Sequence, residues 1–356
     1  MKLSMLYGWL GFCLYHRSKI KDAYAYLSTA LKIGQELKDA SIIAYASTWL
    51  TWVCTEMGFL QKAVNYGENA MEILKSHESD HYLYMTCRGG IGYAYFRLGY
   101  GEKAAEVGTG MLNYGRKFSS NRNMTLGHMM MGFGYFTSGD LISAKISFKK
   151  AIQNSLDPFY TELVRIFLSA CYIIQENFQG AEPELKKVLQ FSKNFGAEII
   201  GIPAYAWLGV VLIVKGQMRK GMKMLKEGMR ECKENERRSL LAHLEYTAGK
   251  VYMQLFAKST PMSFFIILKN IIFLLQNLPF AFGKAINHFN RAIRIAENIG
   301  SKQVLSQTYL DLGLLYKLKG EKDTAQKYIL KAASLYEECG AKVYLKQAKE
   351  VLESLR

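Results

Sequence analysis

A small residue, usually alanine, recurs about every 40 residues along the chain in the same local pattern. The recurring positions are Ala23, Ala63, Ala104, Ala144, Ala181, Gly221, Ala285 and Ala325. Upstream of most of them stands an apolar residue followed by glycine, as in Leu10-Gly11, Met131-Gly132 and Leu312-Gly313. Small residues at two fixed places in each period predict units of two helices that cross closely, joined by a tight turn.

Repetition of this unit predicts an all-α solenoid of about eight helix-turn-helix units, forming one domain over residues 1–356. The units are expected at 4–38, 42–77, 82–118, 124–155, 160–196, 200–235, 240–299 and 304–338. A capping helix is expected at 342–355, and an apolar insertion at 257–284 interrupts the seventh unit. The first helix is apolar from Leu3 onward and has no polar cap, so it is expected to need a partner or to continue a longer protein.

The units resemble the tetratricopeptide repeat (TPR), in which an aromatic residue, Leu-Gly and Tyr are followed by Ala, Phe and Ala. The C-terminal region is more specific. Its segments Tyr309–Tyr316, Lys319-Gly320, Ala325 and Val343–Lys349 are similar to the TPR tail of bacterial signalling proteins that combine an adenylate/guanylate cyclase with an AAA-type ATPase. The resemblance implies a right-handed superhelix that acts as a sensor or docking region, with a signalling ATPase or nucleotide cyclase as its partner. The GxxxxGK[ST] phosphate loop of such an ATPase is absent from this sequence.

The same resemblance places the first helix of each unit on a concave face, with the positions after Leu-Gly directed into a groove. Here those positions are apolar or aromatic: Phe12, Tyr15, Trp52, Tyr93, Phe96, Phe133, Phe136, Ile173 and Ile213. Such a groove favours an apolar or amphipathic segment of a protein partner. The alternative is that the long helices wind tightly enough to make these side chains simply interior. We predict a non-catalytic interaction scaffold or regulatory module that needs no cofactor.

The chain has a formal net charge of +16, and its densest basic stretch runs from Lys215 to Arg238. The cations of one helical stripe there are Arg219, Lys223, Lys226, Arg230, Lys233 and Arg237. Because Glu227, Glu231 and Glu234 run beside them, a solvated face with intrahelical ion pairs is favoured over a surface for nucleic acid or anionic lipid. No nucleic-acid partner is expected, since none of the common RNA-recognition signatures occurs.

The insertion contains the most apolar segment of the chain, residues 263–282. A helix between Pro261 and Pro279 would set a narrow polar stripe against a wide apolar face. The apolar residues predicted for its surface are Phe264, Phe265, Leu268, Ile272 and Leu275. Three interpretations stay open: a transmembrane span, which the central Lys and Asn disfavour; a membrane anchor or self-association helix; and a helix packed on the solenoid or in its groove. The alternative function is therefore a membrane-associated or self-associating adaptor that acts through residues 261–282.

Two further patterns bear on catalysis and location. Residues His77 to His81 fit the HExxH pattern of zinc proteases, but the repeat register places 76–80 between two units, where a helix cap would separate the histidines. The sequence has no GxSxG nucleophile elbow, so neither a metal site nor an enzymatic activity is expected.

The six cysteines form no CxxC pair, as in a reducing compartment. We expect a cytoplasmic protein, with peripheral membrane contact or homo-oligomer formation through the insertion as the alternative.

Overall fold

In a computed structural model that describes residues 2–76, 81–257 and 264–355, the chain is a succession of α-helices, with the backbone alone described at Lys2, Ser76, Phe264 and Phe265. The first six pairs are α1 Lys2–His16 with α2 Ile20–Glu36, α3 Ala40–Met57 with α4 Leu60–Ser76, α5 His81–Leu98 with α6 Gly101–Lys117, α7 Asn121–Ser138 with α8 Leu141–Asn154, α9 Pro158–Ile174 with α10 Phe178–Phe195, and α11 Glu198–Val214 with α12 Met218–Glu234.

The carboxyl-terminal part continues the pattern. In the seventh pair, α13 Arg238–Ala257 and α16 Ala281–Ile299 are separated by α14 Phe264–Lys269, α15 Ile271–Asn277 and a 3-10 turn at Leu278–Phe280. The eighth pair is α17 Lys302–Lys319 with α18 Lys322–Glu338, and the last helix is α19 Lys342–Glu353. The prediction of an all-α helical solenoid is confirmed.

Each pair packs through the small residues that set the sequence period. The alanines of the period are fully buried, and in three units the glycine that follows the apolar residue, Gly11, Gly132 or Gly313, faces the side chain four residues beyond the alanine. A Cβ atom at Gly132 would lie 2.3 Å from Cε1 of Phe148, and one at Gly313 would lie 2.5 Å from Cγ1 of Ile329. Because real Cβ atoms do not approach other atoms so closely, this crossing of two helices requires glycine.

The units wind into a superhelix whose second turn rests on its first. Inner helices five units apart touch: α1 meets α11, α3 meets α13, α5 meets α17, and α7 meets α19. The approach is close, since a Cβ atom at Gly58 would lie 2.4 Å from Cγ2 of Ile299, and one at Gly139 would lie 2.9 Å from Cβ of Val343. About five units therefore complete one superhelical turn.

The two helices of a unit have different surroundings. The first helices form an inner layer and are buried on nearly every side, as in α3, where Ala46 to Met57 are all buried. The second helices form an outer layer with one buried stripe, which in α18 consists of Ala325, Ile329, Ala332 and Tyr336. The inner helices consequently bring side chains from many parts of the chain to the superhelical axis.

Candidate functional site

A cavity of about 370 Å³ lies between the inner helices of both superhelical turns. Its wall receives residues from α1, α3, α5, α7, α9, α11, α13, α17 and α19, and most of these residues are apolar or aromatic. The volume lies within the range of pockets that bind small ligands. The cavity is therefore the candidate binding site.

The cavity brings together six of the nine residues predicted to line a groove. These are Tyr15, Trp52, Tyr93, Phe96, Phe136 and Ile173. Phe133 lies behind them, fully buried, with its ring centroid 4.3 Å from that of Phe96. Ile213 is buried in another part of the core, against Gly221, and Phe12 packs on Trp49. The inward side chains are thus interior but enclose a space, and their role in binding stays a prediction.

The aromatic part of the wall is built from rings that support one another. The ring centroids of Trp52 and Tyr93 are 5.6 Å apart in a stacked arrangement, and Phe96 meets Phe167 edge-on at 5.8 Å. Such stacked and edge-to-face pairs stabilise the rings beyond their burial alone. The wall therefore presents a preformed apolar surface to anything that enters.

A buried ion pair joins the two superhelical turns at the cavity wall. Oε2 of Glu56, near the end of α3, accepts hydrogen bonds from Nε and Nη2 of Arg237 at 3.0 and 2.9 Å. Nη1 of Arg237 donates to Oγ of Ser18 at 3.1 Å. The hydroxyl of Tyr93 donates to Oε1 of Glu56 at 3.0 Å and accepts from Nη2 of Arg97 at 2.6 Å. The side chains of Arg237 and Glu56 are only 2% and 4% exposed, so solvent does not screen the pair.

The protonation states within this cluster follow from its contacts. Burial alone would raise the pKa of Glu56, but the guanidinium groups of Arg237 and Arg97, with the hydrogen bonds from Arg237 and Tyr93, outweigh it and leave the pKa below its usual value. Burial also opposes the charged form of Arg237, and the attraction of Glu56 overcomes that effect and raises its pKa. The cluster therefore holds two guanidinium ions and one carboxylate, a net charge of +1.

Further polar groups lie along the wall on α13 and α17. The hydroxyl of Tyr246 donates to Oδ2 of Asp311 at 2.7 Å, and Nζ of Lys250 lies 3.4 Å from the same oxygen. Nε2 of His243 is buried and has no hydrogen-bond partner among the described residues. Burial, with a smaller contribution from Arg97, holds the pKa of His243 well below its usual value, so this ring is neutral at pH 7.

The charges of the wall balance one another. Three lining residues are cationic and three are carboxylates: Arg97, Arg237 and Lys250, with Glu56, Glu176 and Asp311. The remaining polar lining residues are neutral. The cavity is therefore an apolar, aromatic space with a few fixed polar groups and no excess of either charge.

The ionic cluster was not predicted from the sequence. The spacing of the basic stripe predicts Arg237 on the outer face of α12, and this prediction is wrong. The helix ends at Glu234, the chain turns at Glu236 with a φ of 56°, and Arg237 then points inward to Glu56. A signal was present, since Glu56 is the only charged residue in the sequence of α3, a helix that is rich in apolar residues. A lone carboxylate in such a helix requires a cationic partner.

The insertion lies outside the cavity, because none of its described residues contributes to the cavity wall. The expectation of one helix between Pro261 and Pro279 is wrong for the described part, since the helix breaks at Asn270. The amide of Asn270 donates to the carbonyl of Gly216 at 2.7 Å, and its Oδ1 accepts from the backbone N–H of Met218 at 3.3 Å. These bonds hold the insertion on the turn between α11 and α12.

The predicted insertion surface is exposed where the structure describes it. Leu268, Ile272 and Leu275 are 58%, 55% and 69% exposed, whereas the side chains of Phe264 and Phe265 lie outside the described residues. Among the described helices, none combines the length and apolarity that crossing a membrane requires. A role for this surface stays a prediction.

Metal and thiol chemistry find little support in the described parts of the chain. There, no group of three or more His, Cys, Asp or Glu is placed to hold a metal ion. Of the HExxH pattern, residues 77–80 lie outside the described ranges, while His81 begins α5 and its Nδ1 lies 3.0 Å from the hydroxyl of Tyr114. Five of the six cysteines are buried, with Cys13 exposed.

Comparison with known proteins agrees with the fold. Residues 306–339 match the family model of the tetratricopeptide repeat, and no curated protein matches the sequence significantly. A Rap protein complexed with Competence and Sporulation Factor is 11% identical, with 100% of both chains covered and a TM-score of 0.54. The apo form of RapI is 13% identical over 83% of this chain and 98% of that chain, with a TM-score of 0.52.

A human IFIT1 dimer with m7Gppp-AAAA is also similar, at 14% identity over 96% of this chain and 75% of that chain, with a TM-score of 0.53. The family match covers one repeat, and these structures support a TPR-like helical solenoid fold. At such low identities the structural likeness shows the fold alone.

Proposed function

We propose that this TPR-like chain is a non-catalytic interaction module whose central cavity binds a short apolar segment of a protein partner. The main support is the convergence of aromatic side chains from successive inner helices, Tyr15, Trp52, Tyr93 and Phe136, on a space that they do not fill. Aromatic side chains supply a large area for burial of apolar partner groups. The polar groups at the wall would fix the orientation of the bound segment.

The volume of the cavity limits what it can hold. An α-helix about 10 to 12 Å wide, rising 1.5 Å per residue, takes up roughly 120 to 170 Å³ per residue. The cavity of about 370 Å³ is therefore suited to a short segment of a few residues rather than to a long helix. The closed form favours a chain end or loop tip with two or three apolar side chains.

The charges of the cavity favour a protein segment over nucleic acid. Binding of phosphates requires an excess of cations, whereas the cations here are balanced by carboxylates, and Arg237 is already bound to Glu56. Proteins with this fold are found with m7Gppp-AAAA in one case and with Competence and Sporulation Factor in another. The fold alone therefore does not determine whether the ligand is a protein or a nucleic acid. The prediction of the ligand class rests on the side chains that line the cavity.

The similarity of residues 309–349 to the TPR tail of cyclase and ATPase signalling proteins supplies the proposed partner class. In this proposal the partner is a signalling ATPase or a nucleotide cyclase, and the chain is its sensor or docking module. The interaction would take place in the cytoplasm.

Peptide selection on the full chain tests the proposal. Peptides selected from a random displayed library should be apolar, and Ile173→Trp, which places a larger side chain at the cavity wall, should weaken their binding at least about tenfold. The control is Ile146→Trp on the outer face of α8, which should leave binding unchanged. Equal binding to both variants would show that the peptides do not use the cavity. Salt-sensitive binding of an oligoadenylate RNA in their place would assign the cavity to nucleic acid.

A second candidate function, an adaptor that acts through the insertion at 261–282, is favoured by one observation. Large apolar side chains of α14 and α15 face solvent, although Asn270 between these helices and Asn277 at the end of α15 are buried. This surface is separate from the cavity, so both functions can belong to one protein.

A further inference from the structure

The insertion has apolar side chains on both of its sides: Phe273 and Leu274 are buried in the core, and others face solvent. Asn270 and Asn277 are buried, and both amides donate hydrogen bonds to backbone carbonyls. Facing away from the solenoid are Ile267, Leu268, Ile271, Ile272 and Leu275, here called the insertion face. A helix on the surface of a globular protein normally directs such residues toward the core. The insertion face is continued by Leu278 and Phe280, which are also exposed.

A group of cations borders the insertion face. One groove is lined on its α12 side by Arg219, Lys223, Lys226 and Arg230, and on its other side by Gln276, Asn277 and Lys284. Nζ of Lys284 in this groove lies 5.9 Å from the ring centroid of Phe280, so the groove adjoins the exposed apolar residues. The exposed Lys269 adds a further cation at the end of α14.

Arg230 pairs with Glu231 at 2.7 Å and with Glu234 at 3.0 Å, but the other α12 cations of the groove are poorly neutralised. Within the described part of the chain, Arg219 and Lys226 take part in no ion pair, and Lys223 has only Glu227 at 3.8 Å. Burial and the nearby Lys226 lower the pKa of Lys284, as expected where like charges gather. From Tyr246 to Ala296 the sequence contains no Asp or Glu. The apolar patch therefore adjoins a groove that is lined by five cations and by one carboxylate, Glu227.

We infer that the insertion face and the adjoining cations of α12 form one docking surface for a membrane that carries anionic phospholipids. The apolar side chains enter the boundary between headgroups and acyl chains, and the cations lie against the phosphates. A second copy of the chain is a poorer occupant, because a two-fold contact would bring the same cations face to face. This inference rests on the adaptor function and does not depend on ligand binding in the cavity.

Sedimentation of the full chain with lipid vesicles tests the inference. We expect binding to phosphatidylcholine vesicles that contain about one third phosphatidylglycerol, and much weaker binding to phosphatidylcholine alone. The double variant Ile272→Asn/Leu275→Asn should lower the affinity more than about tenfold. Lys223→Gln/Lys226→Gln should lower it by about fivefold for each cation removed.

Matched controls change the same chemistry elsewhere. Ile142→Asn/Leu156→Asn removes two other exposed apolar side chains, and Lys149→Gln/Lys150→Gln removes two exposed cations of α8. Both should leave vesicle binding unchanged. Binding that is equal for the two vesicle types, or equally weakened by the controls, would overturn the inference.

Light scattering on the same variants separates the remaining outcomes. A dimer that Ile272→Asn/Leu275→Asn converts to a monomer, without vesicle binding, would overturn the membrane inference but keep the adaptor function. A monomer without vesicle binding would overturn both.

Discussion

Neutralising Glu56 is the sharpest test of how the two superhelical turns are held together. Glu56→Gln keeps the shape of the side chain and its acceptor for Tyr93, but it leaves Arg237 as a buried cation without its counter-charge. Breaking a buried ion pair in this way costs about 3 to 5 kcal/mol. A folded domain has only about 5 to 15 kcal/mol of stability, so a substantial fraction would be lost.

Urea denaturation followed by circular dichroism measures this loss. The control is Glu234→Gln, which removes a partner of Arg230 in an exposed pair and should cost less than about 1 kcal/mol. Because the pair joins residues 181 positions apart, Glu56→Gln should also increase amide hydrogen exchange where α13 rests on α3.

A double-mutant cycle isolates the interaction itself. Replacing both partners in Glu56→Gln/Arg237→Met removes the charge that the single change leaves unpaired, so part of the stability should return. A loss from Glu56→Gln no larger than that of the exposed control would refute the reasoning, because it would mean that Arg237 is solvated.

Three other changes test separate parts of the structure. The pKa of His243 is lowered in the folded state, so the stability should fall as the pH drops below about 6.5. Urea midpoints measured as a function of pH should show this fall, and His243→Gln should make their dependence on pH weaker. Gly132→Ala should cost about 1 to 3 kcal/mol of stability, because the new Cβ atom would clash with Phe148. Gly283→Ala, where the Cβ atom meets open space, should stabilise α16 by about 0.4 to 1 kcal/mol. Thermal unfolding that ranks the two variants in the opposite order would contradict the crossing geometry. Asn270→Ala should release the insertion and speed its proteolysis at low protease concentration, and an unchanged rate would show that its hydrogen bonds do not hold it.

The repeating unit could be predicted from the sequence because its determinants are local. Gly132 and Phe148, or Gly313 and Ile329, lie sixteen residues apart and meet within one unit, so their spacing repeats with the period. The positions of turns could be predicted for the same reason, since Gly58 and Gly320 end helices in the left-handed conformation that glycine favours. The division into a single domain stays a prediction.

The closure of the superhelix could not be predicted, because it depends on a small rotation between units that adds up over five of them. No residue marks the contact between α3 and α13 by its spacing, and Glu56 and Arg237 are far apart in sequence. The sequence pattern therefore places the aromatic residues on the inner helices. It does not reveal that the second superhelical turn covers them.

Two errors have local causes. The spacing of Arg237 continues the basic stripe of α12. The turn that separates Arg237 from this helix, Asn235-Glu236, contains neither glycine nor proline, so the sequence does not mark the end of the helix. In the insertion, a single helix was expected between Pro261 and Pro279, but the helix breaks at Asn270, which bonds to backbone groups of Gly216 and Met218. The position of such a break depends on partners that are distant in sequence, which periodicity does not reveal.

Intrinsic fluorescence tests most directly whether the cavity is the binding site. Trp52 and Trp207 line the cavity, while Trp9 and Trp49 do not. In the chain with Trp9→Phe and Trp49→Phe, a selected apolar peptide should shift the emission, with the shift saturating at the same peptide concentration as the heat of binding. Heat of binding without any change in emission would place the peptide elsewhere and contradict the account.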